Sequence, residues 1–439
     1  MPQAQSVVEE AQKPQMAVSK KKANRALLAS MIGSSIEWFD FFLYGSLASL
    51  VFNKLFFPST DPNVGLMLSY LSFGLSFFIR PLGGIIFSHI GDKIGRKKTL
   101  VLTLMVMGIA TFLIGLLPDY NAIGIWAPIL LITLRLFQGI GIGGEWGGSV
   151  LLAVEYSSKK NRGFFGSIPQ LGVPIGMLLG TVVISLLSNL PEEQFLTWGW
   201  RLPFILSAVL VLIGLWIRNG IDETPAFKEA KESGSIAKLP IVETFRYHKR
   251  SIFITMGAKF VETGPYYIFA TFVIAYTTGY LGYETITVLN AVAIANLVTV
   301  IMIPCMGKLS DKIGRKPLYI GGTIAMMIYA FPYFYLLSLK SAFWLTVATI
   351  IAIGIIWPPI EAIMGTLFSE IFSTNVRYTG VSVGNQLGAA LFGGTAPLIA
   401  VALLNAFNSW VPIAIYIIFA CIVSLIALTV IRETKDIDI

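Results

Sequence analysis

Twelve apolar stretches divide this 439-residue chain, each long enough to cross a hydrocarbon core of roughly 30 Å as a helix of about 20 residues. In the first half they run approximately over 27–52, 64–90, 99–117, 123–153, 163–189 and 200–218. In the second they run over 250–279, 286–308, 317–338, 341–369, 378–404 and 411–431. Hydrophobic residues make up 55% of the chain and charged ones 13%, with a mean hydropathy of +0.75. That balance leaves too little polar surface for a water-soluble fold. The expected fold class is an all-α integral membrane protein with twelve transmembrane helices in two six-helix bundles. Its expected parts are an N-terminal tail (1–25), a first bundle (26–218), a linker (219–249), a second bundle (250–432) and a C-terminal tail (433–439).

Lys20, Lys21, Lys22 and Arg25 precede the first stretch as in a secretion signal, but that stretch is long and carries acidic residues. It is read as a retained first helix. Residues 1–19 are polar and are expected to be disordered. The net charge of +8 is placed by topology. With the N-terminus inside, Lys and Arg gather in the tails, the central loop and the turns after helices 2, 4, 8 and 10. Only Lys54, Arg201 and Lys340 fall outside, and Arg80, Arg135 and Lys259 lie within spans. This asymmetry predicts cytoplasmic termini and removes any need for a nucleic-acid partner. Cys305 and Cys421 sit in apolar helices without other metal ligands, so neither a disulfide framework nor a metal site is expected.

The two halves repeat one design. GDKIGRK at 91–97 returns as SDKIGRK at 310–316, Glu155 and Arg162 return as Glu370 and Arg377, and Gln170-Leu171-Gly172 returns as Gln386-Leu387-Gly388. The offsets stay between 215 and 219 positions. Parallel repeats related by an axis along the membrane normal are a plan used by transporters.

Eight ionisable residues lie inside spans: Glu37, Asp40, Arg80, Arg135, Glu145, Lys259, Glu262 and Glu361. Each would cost about 3 kcal/mol against lipid, so they are expected to face protein or water. Glu37, Asp40 and Tyr44 fall on one helical stripe; Arg135, Gln138 and Glu145 form a second, and Lys259, Glu262 and Tyr266 a third. A polar cavity between the halves would receive all three. Buried ion pairs that only fix helix packing are the competing reading, and Arg80, next to Pro81 and a Gly pair, would equally suit the anchor of a bend.

Five segments carry a family resemblance: GSSIEWFDFFLYG (33–45), FFIRPLGG (77–84), GDKIGRKK (91–98), RLFQGIGIGGEWGG (135–148) and WGWRLPF (198–204). On these the chain resembles the major facilitator superfamily, and within it the metabolite:proton symporter family, over nearly its whole length. The turn motif of that superfamily usually has Gly four residues before its Asp; Ser88 stands there in the first copy and Gly307 in the second.

The resemblance implies a proton-coupling pair of a helix 1 acid and a helix 4 arginine, here Asp40 and Arg135, with Glu37 the competing carboxylate. A desolvated carboxylate holds its proton, and an approaching arginine releases it. Substrate contacts are expected from helices 1, 2, 4, 5, 7, 10 and 11: Tyr44, Arg80, Gln138, Gln170, Lys259, Glu262, Tyr266, Tyr267, Trp357, Glu361, Asn385 and Gln386. Arg80 and Lys259 would suit a carboxylate. The resemblance also implies a cytoplasmic gate of charge networks, made by Asp92, Arg96, Glu155, Arg162, Asp311, Arg315, Glu370 and Arg377.

Residues 139–144, GIGIGG, match the dinucleotide-binding pattern only in form: no strand precedes them, and Gly139, Gly143 and Gly147 have the spacing of close helix packing. No phosphate-binding loop, metal cluster or catalytic Ser, His and Asp set is present in the sequence, and His89 and His248 sit at helix ends. No enzyme activity and no cofactor are expected. The resulting expectation is proton-coupled uptake of a small polar metabolite by alternating access, through the cytoplasmic (inner) membrane. The substrate is expected to be a carboxylate such as a shikimate-like acid, and the expected partners are the metabolite, protons and membrane lipid, with the chain working as a monomer. A carrier of zwitterionic osmolytes, a facilitator of the same fold, and a channel or membrane-embedded enzyme are the alternatives.

Overall fold

The computed structural model describes residues 20–59, 61–94, 96–155, 157–219, 244, 246, 248–372 and 377–437. The expected disordered tail, 1–19, and nearly all of the expected linker, 219–249, lie outside the described residues.

Ten of the described helices are long and apolar enough to cross a membrane. They are α2 (Pro62–Phe87), α3 (Lys98–Leu116), α4 (Trp126–Leu151), α5 (Lys159–Leu187), α6 (Glu192–Trp216), α8 (Thr285–Ile313), α9 (Arg315–Ser338), α10 (Ala342–Ile371), α11 (Arg377–Phe407) and α12 (Val411–Val430). Two more complete the twelve. The helix Lys20–Leu47, here α1, continues to Leu55, and the helix Lys249–Tyr267, here α7, continues to Leu281. Both are less apolar because they carry polar side chains in mid-span: Ser34, Ser35, Glu37 and Asp40 in α1, and Lys259, Glu262 and Thr263 in α7.

The duplication read from the turn motifs is visible in packing. In the first bundle α1 packs on α5, α2 on α4 and α3 on α6; in the second α7 packs on α11, α8 on α10 and α9 on α12. α1 and α7 also break their regular winding at matched places, with one π-helical turn at Ala48–Phe52 and another at Ile268–Phe272. The fourth helix of each half is irregular too: α4 is interrupted after Gly143, and α10 has a π-helical stretch at Ile350–Ile356. Such irregularities redirect side chains and recur at functional places.

The usual inside and outside of a folded chain are exchanged. Leu186, Leu212, Ile328, Phe407 and Ile426 point outward, as hydrocarbon requires. Every one of the eight ionisable residues expected inside spans is buried. With no water competing between helices, close approach of backbones supplies much of the packing. A Cβ on Gly143 would lie 2.0 Å from the Arg80 carbonyl oxygen, and one on Gly139 would lie 2.3 Å from that of Ser76, so these glycines let α4 rest directly on α2. Gly147 faces Ser382 of α11 instead. The glycine run of α4 therefore packs helices and follows no strand.

The bundles meet along α5 against α8 and α2 against α11. At the end that carries the described termini, a Cβ on Gly163 would lie 2.7 Å from the Gly307 carbonyl oxygen. This is the place where the second turn motif keeps the glycine that the first copy lacks. At the opposite end the Ser185 hydroxyl donates to Asn290 Oδ1 at 2.9 Å, and Gly74 approaches Gly394 so closely that a Cβ would lie 2.5 Å from its carbonyl oxygen. The bundles therefore touch at both ends.

Gly143→Val is expected to cost about 1–3 kcal/mol through overpacking, whereas Gly321→Ala, with nothing within 4 Å of its Cβ, is expected to be neutral or slightly stabilising. Thermal unfolding of the purified variants compares them; equal midpoints would contradict the packing role.

Candidate functional site

Between the bundles lies a narrow cavity lined by side chains of both. Its lining comes from α1, α2, α4, α5, α7, α10 and α11, the seven helices expected from the sequence. Of the residues singled out there, Glu37, Arg80, Lys259, Glu262, Tyr266, Tyr267, Glu361, Asn385 and Gln386 line this space. Trp38, Phe77, Trp146 and Thr263 line it as well and were not anticipated. Trp146 had a signal: it lies in the GGEWGG segment, directly after the break in α4.

On the second-bundle side, Lys259 is ion-paired with Glu262 one turn further along α7, and Glu262 also accepts a hydrogen bond from the Thr263 hydroxyl. Lys259 is thus already neutralised, which weakens it as the free cation expected for an anionic ligand. Pro265 removes an N–H from the same helix, and the Glu262 carbonyl accepts from Trp357 Nε1 at 2.9 Å. Trp357 stacks on Tyr266 with ring centroids 4.2 Å apart, and the Tyr266 hydroxyl donates to Asn296 Oδ1 at 3.1 Å. Trp357 therefore backs the wall rather than lining the space.

Glu361 lies on α10 beside Glu262, and its Oε2 is buried without a hydrogen-bond partner. Gln386 Nε2 points at the Gly143 carbonyl oxygen, 3.5 Å away, leaving its Oε1 buried and unpartnered, as is Asn385 Oδ1. Gln170 supports from behind, accepting from Trp146 Nε1 at 3.0 Å and donating to the Glu361 carbonyl at 3.3 Å.

Arg80 carries the free donors. Its guanidinium carbon sits 4.0 Å over the Phe77 ring and 4.4 Å over Phe41, a favourable place for a cation. The charge of Glu37 and the Tyr267 hydroxyl act on it, yet Nε and Nη2 have no hydrogen-bond partner. Pro81, next to it, lies within α2, which runs on without a break in its winding.

The stripes drawn on α1 and α4 divide. Glu37 faces the cavity, whereas Asp40 and Tyr44 lie inside the first bundle, outside the cavity lining. Asp40 approaches Thr111 of α3 and Ser207 of α6, but neither of its oxygens makes a hydrogen bond. Arg135 does not pair with it. Its Nη1 donates to Gln138 Oε1 at 2.8 Å and its Nη2 to Ser76 Oγ at 3.0 Å, and its plane covers the Tyr44 ring at 3.9 Å. Gln138 in turn donates to Thr111 Oγ1 at 2.6 Å. Tyr44 and Gln138, expected among the substrate contacts, are thus partners of Arg135.

A second cluster closes the end that carries the termini. Asp311 accepts from Arg315 Nη1 at 2.9 Å and, across the bundle boundary, from the backbone N–H groups of Gly163 and Phe164 at 2.8 and 3.0 Å. Arg162 reaches Glu370 from the first bundle at 3.3 Å, and Arg315 reaches it from within the second at 3.5 Å. The C-terminal segment joins in. Glu433 caps α9 by accepting from the Arg315 and Lys316 N–H groups, the Thr434 hydroxyl donates to Glu370 at 2.5 Å, and Arg162 donates to the Ile437 carbonyl at 2.9 Å. Arg377, the second-copy counterpart of Arg162, donates to the Phe372 carbonyl at 3.2 Å. The side chains of Asp92, Arg96 and Glu155 lie outside the described residues.

Twelve helices in two repeated bundles, with a charged cavity between them and an ionic cluster joining them at one end, are the architecture of a carrier that exposes one site to each side in turn. The chain belongs to the Major Facilitator Superfamily, whose sequence profile matches residues 30–397, and it is a transporter of small metabolites. It is 40% identical over 422 residues to the shikimate transporter of Escherichia coli K12, covering 95% of this chain and 96% of that protein. It is 35% identical over 430 residues to the proline/betaine transporter of Salmonella typhimurium, covering 94% and 84%. Its fold matches the xylose transporter XylE from E. coli in a partially occluded, inward-open conformation, with a TM-score of 0.71, 17% identity and coverage of 96% and 100%.

Because Asp40 is sealed without partners while Arg135 holds three, Asp40→Asn is expected to leave the unfolding midpoint unchanged or raise it, and Arg135→Gln to lower it by several degrees. Thermal unfolding in detergent checks this; a midpoint lowered as much by Asp40→Asn would contradict the arrangement.

Proposed function

We propose that this transporter is a proton-coupled symporter that takes up a small carboxylate by alternating access of the central cavity. The observation that carries the proposal is the Asp40 carboxyl, buried in the first bundle with neither oxygen hydrogen-bonded. An ionised carboxylate held that way costs several kcal/mol, whereas the neutral acid crosses the cycle cheaply. Asp40 takes up a proton in the closed arrangement and gives it up when rearrangement of α1 against α4 brings Arg135 to it. Glu37, in the cavity, is the carboxylate through which bound substrate acts on this switch.

The substrate end rests on Arg80, whose free donors and aromatic cradle suit a carboxylate. Relatives named for shikimate and for proline and betaine support the same chemistry, since a carboxylate is the group those ligands share. The cluster of Arg162, Asp311, Arg315 and Glu370 acts as the cytoplasmic gate, which Asp92, Arg96 and Glu155 of the first copy and Arg377 of the second complete. Both termini then lie in the cytoplasm, as the distribution of Lys and Arg predicts, and the protein works as a monomer in the cytoplasmic membrane. Opening the gate parts Arg162 from Glu370 and Asp311 from the Gly163 and Phe164 N–H groups, contacts that cross between the bundles.

In cells given an acid pulse, Asp40→Asn is expected to abolish substrate accumulation against a gradient while exchange of internal for external substrate persists. Accumulation at the wild-type level would overturn the assignment. For the gate, Glu370→Gln is expected to speed labelling of a cysteine at Thr366 by a membrane-impermeant thiol reagent supplied from the cytoplasmic side, in a background lacking Cys305 and Cys421. An unchanged labelling rate would contradict the closure.

A further inference from the structure

The unpartnered polar atoms around the cavity are sorted by chemistry and by bundle. On the first bundle they are donors, Arg80 Nε and Nη2; on the second they are acceptors, Glu361 Oε2, Gln386 Oε1 and Asn385 Oδ1. The amide of Gln386 cannot be turned round to supply a donor without placing its oxygen against the Gly143 carbonyl that Nε2 now faces. Glu361, when ionised, accepts in either orientation, and the Glu262 carboxylate stands beside it. A buried acceptor left without a donor is costly, so the bound ligand has to bring donors to this side.

Charge narrows the ligand further. The ionisable groups facing the space are Glu37 and Arg80 from the first bundle and Lys259, Glu262 and Glu361 from the second. Lys259 is taken by Glu262, so a second carboxylate on the ligand would meet Glu361 and Glu262 with no free cation to receive it. Trp38, Phe77, Trp146, Tyr266 and Tyr267 wall the space between the two poles, which suits a compact ring or hydrocarbon frame.

Resting on the carboxylate-symport reading above, we infer that the cavity selects a monocarboxylate bearing hydroxyl or ammonium donors at its far end, and that Glu361 and Gln386 impose this requirement. The carboxylate engages Arg80 of the first bundle, and the donors engage α10 and α11 of the second. The ligand thereby ties the two bundles together. Di- and tricarboxylates are excluded by charge, and a quaternary ammonium compound by its lack of any donor.

Binding of a ligand panel to the purified full-length protein, by calorimetry, tests this. Shikimate supplies hydroxyl donors, proline supplies an ammonium, betaine has the carboxylate without donors, and succinate and citrate add carboxylates. At least one of shikimate and proline is expected to bind about tenfold or more tightly than betaine, succinate and citrate, and which of the two does so separates hydroxyl from ammonium recognition. Glu361→Gln is expected to raise succinate affinity relative to the preferred ligand by about tenfold, a gain that misfolding does not produce. Gln386→Leu is expected to narrow the margin over betaine. Succinate, citrate or betaine binding within about threefold of the best donor-bearing ligand would overturn the inference, as would unchanged selectivity in both variants. Proton-driven uptake of succinate would remove this inference and leave the symport reading intact; failure of every carboxylate to bind would remove both.

Discussion

Hydrocarbon around the bundle decides where each polar group of this chain goes. A charge on the outer face would cost about 3 kcal/mol, so Glu37, Asp40, Arg80, Arg135, Glu145, Lys259, Glu262 and Glu361 are all buried. Inside, each requires a partner or a function. Some have partners in plain view, as Lys259 has in Glu262 and Arg135 in Gln138 and Ser76. Asp40, part of Arg80 and one oxygen of Glu361 do not, and these are the groups around which proton and substrate are expected to turn.

Glycine makes the arrangement compatible with motion. Without Cβ atoms at Gly139 and Gly143, α4 meets α2 backbone to backbone within the first bundle, and Gly163 with Gly307 lets α5 meet α8 across the boundary. Smooth contact within a bundle keeps it rigid, while smooth contact between bundles leaves few interlocking side chains to resist rocking. The ionic closure is different in kind. Glu370 takes Arg162 from one bundle and Arg315 and Thr434 from the other, so one carboxylate reports whether the bundles are together.

Much of this was legible in the sequence, because a bilayer imposes length and charge rules that leave direct marks. The twelve spans and the repeat follow from those rules, and the seven cavity helices from the family resemblance. The division of the α1 stripe does not. Glu37 and Tyr44 share a helical face, but seven residues separate them by about 10 Å along the axis, enough to put one in the cavity and the other beneath Arg135 inside the bundle. Asp40, offset around the helix by about 60° from Glu37, turns towards Thr111 and Ser207. Which neighbour a polar face meets is a tertiary matter. The same holds for Trp146, oriented by the break in α4, and for the C-terminal segment, whose Glu433 and Thr434 reveal their roles only once α9 and α10 are beside them.

The central claim is that substrate, bound in the cavity, and a proton, carried on Asp40, cross the membrane in one cycle. Its most direct test is proton movement driven by substrate in proteoliposomes holding the purified protein, with equal pH on both sides. Adding a transported carboxylate outside should alkalinise the external medium as the substrate enters, and a protonophore should abolish that signal. Substrate entry with no accompanying change in external pH would contradict the account.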